Sequence, residues 1–363
     1  MENDIYADLA RHMSMMGLPL TEGLVDILKE NFTAEEAKIV MMLPATDIPL
    51  KPVTIDELAD LRDIDQKHLA DILEGLTERK LIFSGENGVG ERGYALHQAG
   101  FGFPQSFFWD GSKSPYAIKM SKLVIKYFNR KVTKQAFGGN KTKAYRYIPV
   151  HQSIKPDVQA VLPHDMMENV LDKAKLFAVA HCTCRVQAGL MGRACNHPLE
   201  VCLKFDEMAQ YIIEQDLGRQ ITREEAGQIV HKAAEAGLVH FVDNAAGKVK
   251  HNCNCCGCAC WNVGTIRRRK IPRDELMAVY FIRKTDPDLC VGCGECIDIC
   301  PVDVITLEDN VATIDEDWCI GCGVCATKCE FDALNIIYRE DQSPVPADFE
   351  TLHKEIRKFN GEK

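Results

Sequence analysis

The sequence predicts an α+β chain in three parts, and three observations lead to that expectation. Capped helical segments followed by a hairpin pattern occupy roughly the first hundred residues; all 17 cysteines fall between Cys182 and Cys329; and the last eight of these form an internal repeat offset by 29 positions. The expected boundaries are an N-terminal helix-and-hairpin domain at 1–105 and a basic, aromatic-rich connecting segment at 106–160. A cysteine-rich, mainly helical domain follows at 161–283, then the repeat at 284–340 and a C-terminal tail at 341–363.

In the N-terminal part, "TAEEAKIVMML" opens with Thr33 and Glu36 at capping-box spacing, and "TIDELADL" does the same with Thr54 and Glu57. Each pair can satisfy two backbone N–H groups that a helix start leaves free. "DQKHLADILEGLTERKLI" then puts Leu69, Ile72, Leu73 and Leu76 on one helical face, and "LIFSGENGVGERGYAL" reads as two strands around a glycine-rich turn. Three helices and a hairpin make a winged-helix-like pattern. Its charge argues against DNA: Thr54 to Lys80 holds eight acids (Asp56, Glu57, Asp60, Asp63, Asp65, Asp71, Glu74, Glu78) and four bases (Arg62, Lys67, Arg79, Lys80). Phosphate binding calls for the opposite balance, so an interaction or dimerisation role is favoured.

Between Asp110 and Asp157 there is no acid, while eleven bases occur: Lys113, Lys119, Lys122, Lys126, Arg130, Lys131, Lys134, Lys141, Lys143, Arg146 and Lys155. The whole chain has a net charge of −10, so the remainder is strongly acidic. Such asymmetry points to a charged partner: an acidic protein, a phosphate-bearing cofactor or nucleic acid. Phe107, Phe108, Trp109, Tyr116, Tyr127, Phe128, Tyr145 and Tyr147 are interleaved with these bases. Stacking on single-stranded nucleic acid is one use for them; core packing is the favoured one. "IRRRK" near Arg267 repeats this basic theme beside the cysteine cluster, with a mobile basic linker as the alternative.

The composition, 46% hydrophobic and 26% charged, suits globular domains. The N-terminus lacks the basic start and apolar run of a signal peptide, and no stretch reaches the roughly 18 apolar residues of a membrane span. A cytoplasmic location is expected, where thiols stay reduced and clustered cysteines serve metals or redox chemistry. "AVAHCTCRVQAGLMGRACNHPLEVCL" supplies Cys182, Cys184, Cys195 and Cys202, a candidate set for a metal cluster beyond those of the C-terminal repeat described below. "TREEAGQIVHKAAEAGLVH" reads as a helix with a capping box at Thr222 and Glu225 and an end at Gly237. "HNCNCCGCAC" then adds Cys253, Cys255, Cys256, Cys258 and Cys260 as additional or shared ligands. Nine thiols are one more than two four-ligand sites need, and their spacing does not assign them. A third cluster is favoured over structural zinc, a thiol switch or a noncubane cluster. His181, His197 and His251 stand beside these cysteines as alternative ligands; Arg185 is expected at the surface, with a hydrogen bond to cluster sulfur as the alternative.

The repeat is the most specific motif. Cys290, Cys293, Cys296 and Cys300 have the spacing C-x2-C-x2-C-x3-C-P; Cys319, Cys322, Cys325 and Cys329 repeat it, with Glu330 in the proline position. Three cysteines at intervals of three in one loop can hold three corners of an iron-sulfur cube, and the fourth lies too far along to close the same cube easily. Gly292, Gly294, Gly321 and Gly323 permit the tight turns such a loop needs. Roughly residues 284 to 340 resemble bacterial two-cluster ferredoxins. That resemblance implies two [4Fe-4S] clusters with crossed ligation, one on Cys290, Cys293, Cys296 and Cys329, the other on Cys319, Cys322, Cys325 and Cys300. The carboxylate of Glu330 is expected to lower the potential of a nearby cluster.

The order "HCTCR", "NCCGCAC" and then the repeat also resembles a wider group of anaerobe-type 4Fe-4S proteins with a helical N-terminal domain, and "CCG" is similar to a stretch in heterodisulfide reductase subunits whose other spacing is absent. The chain has no G-x-G-x-x-G fingerprint in a strand-to-helix turn and no P-loop. The expected function is one-electron transfer to or from a partner oxidoreductase, as a carrier or subunit rather than a stand-alone enzyme. The alternatives are a redox-responsive DNA-binding regulator and an oxidoreductase subunit with a substrate-accessible middle cluster.

Overall fold

A computed structural model of the protein describes residues 4–14, 20–45, 48–60, 64–128, 132, 134, 139, 141–150, 153 and 163–361. Arg62, Asp63, Arg130, Lys131, Lys155 and Asp157 of the charge arguments lie outside these described residues.

The N-terminal part contains helices Ile5–Met13, Glu22–Asn31, Ala34–Val40, Ile55–Ala59 and Gln66–Glu78, followed by strands β1 (Phe83–Glu86) and β2 (Arg92–Ala95) in an antiparallel hairpin. Both expected capping boxes form, at Thr33 with Glu36 and at Thr54 with Glu57. Leu69, Leu73 and Leu76 are fully buried on one face of their helix. Two-residue strands β3 (Gln98–Ala99) and β4 (Gly102–Phe103) lead to helix Pro115–Tyr127, which packs on helix Glu22–Asn31. Its Met120, Val124 and Tyr127, together with Phe107 and Phe108, complete the same apolar core. The aromatic residues of the basic segment are thus largely interior, and Tyr116 is the exposed exception. Arg146 is interior too: its fully buried guanidinium pairs with Asp165 at 2.9 Å and donates to the carbonyls of Asp243, Ala245 and His164.

The cysteine-rich part contains the expected helices, among them Thr183–Leu190, Asp206–Glu214 and Arg223–Glu235, and a sheet beside them. It is built on a six-stranded antiparallel sheet of β5 (Tyr145–Ile148), β6 (Phe177–His181), β7 (Glu200–Phe205), β8 (Gly218–Ile221), β9 (Val239–Asp243) and β10 (His251–Cys255), in the order β5-β9-β10-β7-β6-β8. Short apolar runs such as "FAVAH" and "VHFVD" are buried along all or nearly all of their length, so they lack the helical period and form interior strands. One sheet face packs Ile148, Val179, Leu203, Phe205 and Val242 with helices Met167–Asp172 and Arg223–Glu235. The other presents Tyr145, Tyr147, Ala180, Cys202, Phe241 and Cys255 to the rest of the molecule. At the start of helix Arg223–Glu235 only half of the expected box forms: Thr222 accepts the Glu225 N–H, while the Glu225 carboxylate turns to Arg219 at 2.6 Å. That helix stops at Gly237, whose φ is +73°.

In the C-terminal part, β11 (Phe281–Thr285) pairs with β14 (Leu334–Tyr338), and β12 (Ile305–Glu308) pairs with β13 (Val311–Ile314). The segment beyond residue 341 contains helix Phe349–Gly361, which buries Phe349, Leu352, His353 and Ile356. Among the described residues no helix is long and apolar enough to cross a membrane.

Candidate metal centres

The C-terminal repeat folds into two small cavities. One is lined by Cys290, Cys293, Cys296 and Cys329, the other by Cys300, Cys319, Cys322 and Cys325. Each repeat therefore sends its fourth cysteine to the other's cavity. At Gly321 the positive φ and the Phe281 carbonyl, 2.0 Å from where a Cβ would stand, leave room for glycine alone. Backbone N–H groups already point at sulfur, from Ala312 to Cys290 and from Gly321 to Cys319, both at 3.4 Å. Burial pushes the Cys325 thiol up to about 12 and those of Cys296, Cys300 and Cys322 upward as well. Such thiols stay protonated unless a metal ion displaces the proton.

Between the two cavities lies Arg283, fully buried on β11. Its Nη2 donates to the Ala312 carbonyl at 3.2 Å and stands 4.0 Å from Cys296 Sγ, while Nε and Nη1 have no hydrogen-bond partner. An uncompensated interior guanidinium costs several kcal/mol. Thiolate-ligated clusters on both sides would supply the missing negative charge, so the residues present fit such groups.

The nine upstream cysteines divide into two separate sets. Cys182, Cys184, Cys202, Cys253, Cys255 and Cys260 line one cavity of about 110 Å³ together with Trp109, Phe128, Lys204 and Trp261. Their sulfurs form a chain of neighbours, Cys182 to Cys184, Cys260, Cys255, Cys253 and Cys202 in turn. β10 explains part of this: with period two, His251, Cys253 and Cys255 share one face and Asn252 and Asn254 the other. Thiols in the ring alternate in character. Hydrogen bonds from neighbouring S–H groups hold Cys182 below its ordinary value, bring Cys253 down to about 5 and hold Cys260 well below its ordinary value. Cys184 is raised by burial, and Cys202 and Cys255 by hydrogen bonding to Cys253. Lys204, held 4.5 Å over the Trp109 ring, adds positive charge beside Cys253 and Cys202. Backbone N–H groups of Trp261 and Asn262 reach Cys184 and Cys260 sulfur at 3.3 Å.

The second set joins Cys195, His197, Cys256 and Cys258, whose ligand atoms all lie within 4.8 Å of one another. The sequence-based grouping of Cys182, Cys184, Cys195 and Cys202 is thus split, with Cys195 apart from the other three. Of the three candidate histidines, His197 is in a set of donors; His251 lines the six-thiol cavity but turns to Asp243 at 3.2 Å, and His181 faces the Trp109 carbonyl.

Arg185 is buried, contrary to the surface expectation, because Cys182, Cys255 and Cys256 surround it. Burial alone would lower its pKa, but those thiols raise it. Its Nη1 donates to the Asn254 carbonyl at 3.1 Å, and the guanidinium also donates to the Cys256 thiol. The "IRRRK" run is a helix, Val263–Arg269, rather than a linker. Arg268 donates to the carbonyls of Gly257, Cys258 and Cys260 and so clamps the cysteine loop, while Arg267 pairs with Asp303.

The six-thiol cavity and the C-terminal part meet directly. At Gly257 a Cβ would stand 2.0 Å from the carbonyl of Pro301, the residue after Cys300. Tyr147 is fully buried; burial first, then the charges of Cys260, Cys255 and Cys322, raise its phenol well above the ordinary value. It therefore stands between the ring and the second C-terminal cavity. Val150 N–H donates to the Cys322 carbonyl at 3.0 Å, and Arg273 donates to that of Cys319.

Comparisons with known proteins agree on the C-terminal part. Residues 283–306 and 312–335 match the 4Fe-4S binding domain family. Ferredoxin-2 of Desulfomicrobium norvegicum is 56% identical over 27 residues, 7% of this chain and 46% of that protein. A probable ferredoxin of Methanosarcina thermophila is 46% identical over 35 residues, 9% of this chain and 60% of that protein. The chain spans about half the length of these relatives. The C-terminal repeat is a ferredoxin-type, 4Fe-4S-binding domain.

Proposed function

We propose that the protein transfers single electrons along a line of three iron-sulfur centres, to or from a partner oxidoreductase. The outer centre is held by Cys290, Cys293, Cys296 and Cys329, the inner one by Cys300, Cys319, Cys322 and Cys325, and the third by thiols of the six-cysteine ring. The observation that supports this most is the position of Tyr147 and Gly257–Pro301, which put the ring against the inner ferredoxin-type cavity. An iron-sulfur cluster supplies reversible one-electron storage with little rearrangement.

The protein's own residues set direction and environment. Cys293 is exposed and Cys290 and Cys329 are partly so, whereas all four inner cysteines are buried. Exchange with a partner belongs at the outer end, where Leu289, Val291 and Phe331 are also exposed. Arg283 lies between the outer and inner positions and favours added negative charge on both. Arg185 and Lys204 do the same at the ring.

The N-terminal helices and hairpin are proposed to form a winged-helix-like module that contacts protein rather than DNA. Arg79 is paired with Glu36, Lys80 with Asp110, and Arg92 with Glu74, so these bases are already committed to acids. Retention on duplex DNA that weakens steeply with salt would contradict this part.

Anaerobic reductive titration followed by paramagnetic resonance tests the main reading. Signals from ferredoxin-type centres should be accompanied by one that disappears in a Cys182→Ala, Cys253→Ala variant while the others persist. Loss of all signals together, or of none, would contradict the separate third centre.

A further inference from the structure

We infer that Cys195, His197, Cys256 and Cys258 bind a single tetrahedral divalent ion of the zinc class, separate from every iron-sulfur centre, which fixes the cysteine loop to the segment after β6. The geometry is that of one ion. Thiolates about 2.3 Å from a tetrahedral zinc stand ~3.8 Å apart, and the four donor atoms lie within 4.8 Å of one another, with Cys258 Sγ 3.9 Å from His197 Nδ1. A four-iron cube would spread four ligands more widely.

The donor chemistry agrees. Three thiolates and an imidazole form one of the closed sets that structural zinc uses, with no position left for substrate. The Ala259 N–H donates to Cys256 Sγ at 3.4 Å and supports that ligand from outside. The site also divides labour between neighbouring residues: Cys255 faces the six-thiol ring and Cys256 faces the ion. Cys258 is exposed and Cys195 and His197 are partly so, which gives the ion a way in from solvent. The ion would join residues 195–197 to 256–258 and thereby position Cys255 and Cys260 in the ring. Arg268 clamps the same loop from the other side.

The inference stands independently of the third iron-sulfur centre. The test uses the full-length protein, produced with both iron and zinc available and purified without oxygen. Elemental analysis should give about one zinc per chain beside the iron. Cys258→Ala should abolish the zinc and leave the iron of the C-terminal part unchanged. His197→Cys, which keeps four donors, should retain the ion, and cobalt(II) loaded in its place should show tetrahedral bands with stronger thiolate charge transfer than in the parent. Absence of zinc and cobalt binding in the parent would overturn the inference. So would zinc that survives Cys258→Ala, or a His197→Cys chain that folds with its iron but binds neither zinc nor cobalt.

Discussion

The ferredoxin-type repeat and the middle cysteine region gather their cysteines by opposite constructions. In the repeat, three ligands of each set lie within seven residues, Cys290 to Cys296 and Cys319 to Cys325, and one loop brings them together. In the middle region, Cys182, Cys184 and Cys202 meet Cys253, Cys255 and Cys260 across β6, β7 and β10. The first construction depends on local turns and the second on strand register. A one-residue slip of β10 would exchange Cys253 and Cys255 for Asn252 and Asn254 on the ring face.

This contrast can be broken at several points. The largest effect is expected from Cys300→Ala, because Cys300 lies in one repeat and lines the cavity of the other. Iron should fall by about four per chain, read by elemental analysis; unchanged iron would refute the crossed arrangement. Next comes Cys253→Ser with Cys182→Ser, which should remove the ring's iron and leave the ferredoxin-type signals in place. Arg283→Met should keep all iron but make both C-terminal centres harder to reduce, by on the order of 100 mV for a unit charge ~6 Å away at an effective dielectric of ~20. Potentiometric titration reads this, and the ring's potential should move less.

Smaller effects concern stability. Arg268→Gln removes a charged donor from three carbonyls and should cost about 1–3 kcal/mol in anaerobic denaturant unfolding. It should loosen the middle region ahead of the repeat. The pH dependence comes last. Burial brings His97 down to about 3, and His240 and His353 to about 4. Their folded values lie below the unfolded value of about 6.5. Between about pH 6.5 and 4 the unfolded chain therefore binds more protons, and stability is lost as pH falls. Each histidine should cost about 1 kcal/mol between pH 7.5 and 5.5, measured by denaturant midpoints. A His97→Gln, His240→Gln variant should show a flatter profile.

Much of the local structure was legible in the sequence, because local rules fix it. The Thr33 and Thr54 capping boxes, the Leu69–Leu73–Leu76 face and the hairpin follow from spacing alone. So does the repeat, where ligand type and interval are contiguous. The six-stranded sheet is not legible in the sequence because "FAVAH", "EVCLKF" and "VHFVD" are apolar runs too short to show a period, and their partners are distant. The alternation in "HNCNC" was an available signal: two asparagines and two cysteines at period two mark a strand with two different faces. The division of the nine thiols was not available, since it depends on the register between β7 and β10. Arg283 is a readable anomaly, an arginine on the inward face of the strand leading to a cysteine motif. The "IRRRK" run shows the limit of charge counting: three adjacent arginines serve a loop clamp, an ion pair with Asp303 and a contact with the Phe128 carbonyl.

The most direct test is iron and acid-labile sulfide per chain in protein purified without oxygen. Two ferredoxin-type clusters and an iron-sulfur centre in the six-cysteine ring predict about twelve irons or more. A count of about eight would contradict the ring as an iron-sulfur site, and protein without iron would contradict the account as a whole.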